Sequence, residues 1–266
     1  MNKTTFTKTA LDQGEMRVYD FGAVKLHAYQ TQDPLDDEVF LLEKQGQVVL
    51  LESPCFVQNN RALTAYLAER KLSVAGMLLA YHMAGGTFLP EARKYATRNA
   101  DAYGHQGRGR SLIDGFTAAF GPRFDGTLHT VTDYLEAGVC TIGGISFRIL
   151  PTPEAFDVEI PELNAVYTHM LGHDCHSIVA GPAHADAMLR QLRGYLDKGY
   201  TLVLTSHYTP EDLKDVRTKL EYLENLKRIA ALCCDRQAFL EEVRRQYGSY
   251  GGDHYLDMTA EFFFPQ

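Results

Sequence analysis

The sequence predicts an α/β fold, and three observations carry that expectation. Apolar runs of strand length alternate along the chain with segments of helical spacing. Residues 47–81 read strand, helix, strand, and two strand pairs turn on glycine, at Gln45-Gly46 and Gly143-Gly144. With 266 residues, 45 % of them hydrophobic, the chain can bury a large core. No repeat, low-complexity stretch or linker interrupts it. A single domain over residues 1–266 is therefore expected, with a polar N-terminal tail (about 1–15) and an aromatic C-terminal tail (about 247–266).

In chain order, RVYDFGAVKLHAYQT (17–31) alternates and predicts one or two strands, and EVFLLEKQGQVVLLES (38–53) predicts a hairpin. Asn59 and Asn60 are placed to cap a helix through Arg70, with Leu63, Tyr66 and Leu67 on one face. A strand over Val74 to Tyr81 delivers LLAYHMAGG. Residues 90–137 read as mostly helical, and VCTIGGISFRIL as a second hairpin. NAVYTHM is a short strand, followed by the loop LGHDCHSIVAG and a helix over Pro182 to Lys198. TLVLTSHYTP is the last strand. Pro210 is then expected to open a long helix toward Cys234, with Glu211 and Asp212 facing its N-terminal dipole.

Composition excludes several function classes. A net charge of -8, a pI near 5.7 and scattered basic residues argue against a nucleic-acid partner. No stretch of about 18 apolar residues exists, so no membrane span is expected. MNKTTFTKTALDQGEM lacks the apolar middle of a signal peptide, so the chain reads as cytoplasmic as written, or periplasmic if a leader has been removed. Five cysteines, an odd number with no CxxC pair, read as buried or incidental thiols of a reducing compartment. Cys175 stands apart because it lies among histidines.

Three apolar strands end alike: at His82-Met83, at His169-Met170 and at His207. Strand C-termini of layered α/β folds converge on one edge. Three imidazoles meeting there are a first coordination shell for one zinc or another divalent metal. His173, Asp174 and His176 of GHDCH can add ligands (His176) or a proton-transfer group (His173, Asp174). Each histidine also has a plainer reading as a hydrogen-bonded structural group. His27, His105, His129, His184 and His254 have no chemical neighbours in sequence and are expected to be structural or surface groups. Ser206 lacks a Gly-x-Ser-x-Gly elbow, and GRGR (107–110) does not match a phosphate loop.

The order of these pieces resembles the metallo-β-lactamase superfamily over roughly residues 22–227. VVLLESP places Glu52 at the acidic position of that family's Leu-Ile-Asp-Thr-Gly motif, and LLAYHMAGG occupies the place of His-x-His-x-Asp-His-x-Gly-Gly. PTPEAF stands at the Pro-Gly-His segment, YTHM at Thr-Gly-Asp, and TSHYTPEDL at the last metal-binding histidine. The resemblance implies a four-layer αββα sandwich. It does not carry over the di-zinc site. Leu78 and Ala80 stand where the first two histidines belong, His82 takes the aspartate position and Met83 the next histidine. Ala155 falls near the third motif's histidine and Met170 at the bridging aspartate, so only His207 is retained.

Two readings follow. In one, a rebuilt mononuclear metal site of His82, His169 and His207, joined by residues of the HDCH loop, hydrolyses an ester, lactone or amide. In the other, a metal-free, non-catalytic cleft binds a small molecule through its histidines and tyrosines. Tyr81, Tyr208 and Glu52 are the expected ligand-binding residues, beside Tyr167. The expected partner is a small-molecule substrate or ligand, with no nucleic acid and no membrane. The aromatic EFFFP offers a contact for a homo-oligomer.

Overall fold

The computed structural model describes residues 5–169 and 172–265, which group into two compact units. The first runs to His169 and takes back Leu204–Pro210; the second holds the segment up to Val203 and everything from Glu211. Among the described residues there are two sheets and seven α-helices.

The first sheet begins with β1 (Thr7–Ala10), β2 (Glu15–Asp20), β3 (Lys25–Gln30), β4 (Glu38–Lys44) and β5 (Gln47–Leu51), all antiparallel neighbours. Part of the expected N-terminal tail is thus an edge strand, with Thr7 opposite Val18 and Ala10 opposite Glu15. The β4–β5 turn falls where expected, with Gln45 and Gly46 both at positive φ. Helix α1 (Val57–Glu69) then crosses to β6 (Ser73–Leu78), which lies parallel to β5 with Leu51 opposite Leu78. Its Ala62, Leu63, Tyr66 and Leu67 are buried, as the spacing requires.

Helix α1 starts at Val57, not at Asn59. The Asn59 amide donates to the Tyr29 hydroxyl and the Thr31 carbonyl, both at 2.8 Å, so its side chain is committed to β3 rather than to a cap. Residues 90–137 are less helical than expected. They hold β7 (Lys94–Ala96), α2 (Arg98–Gln106), α3 (Arg108–Phe120) and β8 (Asp133–Tyr134). β7 and β8 extend the first sheet in parallel, because the main chain of Arg93 and Tyr95 accepts from Met77 and Leu79 at 2.9 Å each.

The second sheet contains β9 (Gly138–Ile142), β10 (Ile145–Pro151), β11 (Phe156–Ile160) and β12 (Ala165–Thr168), antiparallel in sequence order, with the hairpin on Gly143-Gly144. β13 (Leu202–Thr205) and β14 (Tyr208–Glu211) complete its order after β12.

The second unit carries α4 (Pro182–Lys198), α5 (Leu213–Leu232), α6 (Arg236–Tyr247) and α7 (Asp253–Phe263). Helix α4 spans the expected residues, closed by Gly199 in the left-handed conformation. Helix α5 begins after the expected Pro210, which lies in β14. Asp212 caps the helix by accepting from the main-chain N–H groups of Lys214 and Asp215, while the Asp215 side chain accepts from Asp212 in return. That reciprocal pair defines the start better than a proline does. The expected aromatic tail is mostly helix α7, and Phe263 and Phe264 pack on Phe239 with ring centroids 5.9 and 5.5 Å away.

Candidate metal centre

The site in the first unit starts from one buried carboxylate. Glu52 follows β5 in the left-handed region at φ 66° and is 0 % exposed. Its Oε1 accepts from the main-chain N–H groups of Ala80 (3.2 Å) and Tyr81 (2.8 Å), and its Oε2 from that of His82 (3.1 Å). The Tyr167 hydroxyl, on β12, donates to Oε1 at 2.8 Å and shares a 2.6 Å hydrogen bond with Ser206. Three successive N–H groups therefore leave the sheet, which is why β6 stops at Leu78 rather than running to Tyr81. Burial pushes the Glu52 carboxyl up to about 7 against these donors. Expected among the ligand-binding residues, Glu52 spends its oxygens on the turn that presents His82.

The paired glycines serve the same turn. Gly85 lies at φ +89°, and a Cβ there would sit 2.4 Å from the Pro54 carbonyl oxygen; at Gly86 it would sit 2.6 Å from that of Leu128. Met83 is buried, as expected for a core methionine.

His82, His169 and His207 meet. Their ring centroids are 5.4 Å (82–169), 5.2 Å (82–207) and 5.1 Å (169–207) apart. Each offers a nitrogen within 4.8 Å of the others, and all three are half-buried. Nitrogens bound tetrahedrally to zinc at about 2.1 Å lie roughly 3.4 Å apart, so the cluster has the right size for one ion. The Tyr81 ring stacks on His169 at 4.7 Å and 25°, and its hydroxyl donates to Asp157 at 2.6 Å.

His207 is oriented from behind. Its Nδ1 donates to the Leu35 carbonyl at 3.2 Å and lies 3.1 Å from Oδ1 of Asp37, which leaves Nε2 for the cluster. Asp37 is 3 % exposed, and its Oδ2 accepts from the Cys55 thiol at 3.1 Å. Burial pushes His82 down to about 4 and His169 well below the usual histidine range, each also opposed by neighbouring imidazoles. Burial also works against charge on His207, but the Asp37 carboxylate outweighs it and raises the pKa. Desolvation of Asp37 is in turn outweighed by His207 and His82, which hold its pKa down. Two imidazoles thus stay neutral, with free lone pairs, as metal coordination requires.

The HDCH loop lies in the second unit with partners of its own. His173 donates from its main-chain N and its Nδ1 to Oε1 of Glu211, at 2.7 and 2.9 Å, and its Nε2 lies 3.7 Å from Asp215. Asp174 is exposed, and its carbonyl accepts from Gly251 at 3.0 Å. The Cys175 carbonyl accepts from Lys219, and His176 is buried with Nδ1 2.8 Å from the Tyr222 hydroxyl. Tyr208 is half-buried at the start of β14. Met170, matched to the bridging aspartate, lies outside the described residues.

Sequence reasoning missed Asp37, Glu211 and Asp215 as members of these clusters. Asp37 sits in an ordinary polar run, Glu211 was read only as an acid of a helix N-terminus, and Asp215 lies inside the expected helix. For the latter pair the four-residue spacing across a cap was the one available signal.

No family model and no curated protein sequence matches the chain. Its fold does match solved structures. A β-lactamase domain protein from Burkholderia ambifaria superimposes with TM-score 0.64 at 15 % identity, covering 96 % of this chain and 88 % of that one. A metallo-β-lactamase family protein from Thermus thermophilus gives 0.62 at 17 % identity, covering 91 % of each. A stereoselective inverting sec-alkylsulfatase from Pseudomonas sp. gives 0.62 at 15 % identity; 90 % of this chain spans only 48 % of that protein. The chain therefore has the metallo-β-lactamase fold, an αββα sandwich. No described helix is long and apolar enough to cross a membrane.

Proposed function

We propose that the chain hydrolyses an ester, lactone or amide at a mononuclear metal centre held by His82, His169 and His207. The observation that carries this reading is the convergence of three imidazoles whose ring nitrogens lie within 4.8 Å of one another. The donor set fits one borderline ion of the zinc type, with three nitrogens and no carboxylate inside the cluster. The hydrolytic names among the similar folds support the reaction class and leave the substrate open.

A bound divalent metal supplies a Lewis acid that polarises a carbonyl oxygen and acidifies water. The chain's own residues do the rest. Glu52 fixes the turn that aims His82, and Tyr81 backs the His169 ring by stacking. Asp37 and the Leu35 carbonyl fix the tautomer and direction of His207. The buried surroundings keep His82 and His169 deprotonated near neutral pH.

Metal analysis of the purified protein tests this, alongside His82→Ala and His207→Ala variants and a screen of chromogenic esters and lactones. About one zinc-type ion per chain, lost in both variants together with hydrolysis, is the expected result. No zinc-type ion bound at the three histidines in any preparation sinks the reading. The metal-free alternative rests on the Tyr81–His169 stack at 4.7 Å, a surface for a flat ligand. It predicts unchanged stability after chelation and a ligand-induced thermal shift abolished by Tyr81→Ala.

A further inference from the structure

We propose a second cation site, in the second unit, formed by His173, Glu211 and Asp215 and suited to a hard divalent cation such as Mn²⁺. These residues each offer a ligand atom within 4.8 Å of the others. Independent of that spacing, Glu211 is 1 % exposed, and its Oε2 has no hydrogen-bond partner among the described residues. A buried carboxylate oxygen without a donor is costly, and a cation is the partner that removes the cost.

The surroundings favour a cation over a further hydrogen-bond donor. Both N–H groups of His173 already converge on the other oxygen, Oε1. Asp215, 4 % exposed, adds a second buried carboxylate 3.7 Å from His173 Nε2. The nearby ammonium of Lys219 is committed to the Cys175 carbonyl and to the face of the Tyr222 ring at 4.9 Å. His173, by contrast, is the half-exposed member and opens the cluster to solvent. One imidazole and two carboxylates, with water filling the remaining positions, is a donor set for Mn²⁺ or a similar ion. The three-nitrogen cluster of the first unit prefers a zinc-type ion, so the two sites differ in metal chemistry as well as in residues. A cation here would tie the loop of His173 to the start of α5.

The site is independent of the proposed hydrolytic centre, and the experiment separates them. The full-length His82→Ala/His169→Ala/His207→Ala variant is titrated with MnCl₂ by calorimetry and electron paramagnetic resonance. In parallel, wild-type protein first loaded with one Zn²⁺ is titrated in the same way, which covers a variant that does not fold. One Mn²⁺ per chain is expected, with a rise in melting temperature. Glu211→Gln and Asp215→Asn are each expected to weaken uptake tenfold or more in the Zn²⁺-loaded background. No stoichiometric Mn²⁺, or uptake unchanged in both of these variants, overturns the proposal and leaves His173 and Glu211 as an ion pair only. Loss of Zn²⁺ in the triple variant with Mn²⁺ uptake retained shows the two sites to be separate. Mn²⁺ uptake without any Zn²⁺ site sinks the hydrolytic reading alone.

Discussion

The two histidine clusters of this chain are built on opposite plans. In the first unit, the rings of His82, His169 and His207 face one another, and the Asp37 carboxylate reaches the His207 ring. In the second unit two histidines face oxygens instead: His173 faces Glu211 and Asp215, and His176 faces the Tyr222 hydroxyl. Mutually facing imidazoles repel one another's charge, so burial wins and His82 and His169 are neutral. At His173 the hydrogen bond to Glu211 and nearby acids win over burial, and the pKa rises. The same residue type thus faces other imidazoles in one place and carboxylates in the other, and these neighbours set the direction of its pKa.

Removing one imidazole from the first cluster is the strongest way to break this contrast. His82→Ala or His207→Ala takes away a whole ligand. Zinc affinity, read by competition with a chelator, is expected to fall on the order of 1,000-fold, beyond the 10–100-fold typical of a lost outer partner. His176→Ala, made in the hydrogen-bonded cluster, is expected to leave zinc content unchanged. An equal loss in both variants would erase the distinction between the clusters.

Glu52 comes next in size. Glu52→Ala leaves the N–H groups of Ala80, Tyr81 and His82 without their acceptor, along with the Tyr167 hydroxyl. Each orphaned donor costs about 1–3 kcal/mol before relaxation, so a net loss of about 3–4 kcal/mol is expected in urea unfolding. Zinc binding should weaken with it, because the turn that presents His82 is no longer held.

A third test uses acid. His129 is 1 % exposed, and neither ring nitrogen has a hydrogen-bond partner among the described residues. Burial, with help from Lys94, pushes it down to about 4. A lowered histidine pKa means that the unfolded chain binds the proton first. Its stabilising contribution is full above pH 6.5 and is lost as pH falls from there toward about 4, by about 3 kcal/mol. His129→Leu is expected to flatten the stability–pH curve over that window without destabilising the protein at pH 7, because no hydrogen bond is broken. An unchanged acid limb would show that His129 has a partner in solution.

The fold was legible where local pattern and long-range pairing agree. Both glycine hairpins and helix α4 appear at their expected residues, because turn chemistry and helical spacing there meet no competing partner. The convergence of His82, His169 and His207 was legible for a topological reason: His169 and His207 follow β12 and β13, neighbours in the second sheet, and His82 follows β6 of the first. The misread boundaries have side-chain causes that lie far away in sequence. Asn59 serves Tyr29 and Thr31 rather than a helix cap, and Glu52 ends β6 from 28 to 30 residues upstream. Asp37 stayed hidden because its partner His207 is 170 residues further along the chain, and nothing local marks a carboxylate that orients an imidazole.

Asp37 also supplies the finest test of the contrast, because it is the one feature the first cluster shares with the second. Asp37→Asn keeps the side chain's shape, and the Leu35 carbonyl still accepts from His207 Nδ1, so the ring should hold its orientation. What disappears is the negative charge behind the imidazole, and with it the rise in His207 pKa. If the cluster binds metal through neutral lone pairs, that charge only strengthens a ligand already in place. Zinc affinity is then expected to fall by about 10–100-fold, or roughly 1.4–2.7 kcal/mol, with His82 and His169 still bound. A loss as large as that of His207→Ala would instead mean that Asp37 sets the tautomer by itself. The first cluster would then depend on its carboxylate as His173 depends on Glu211.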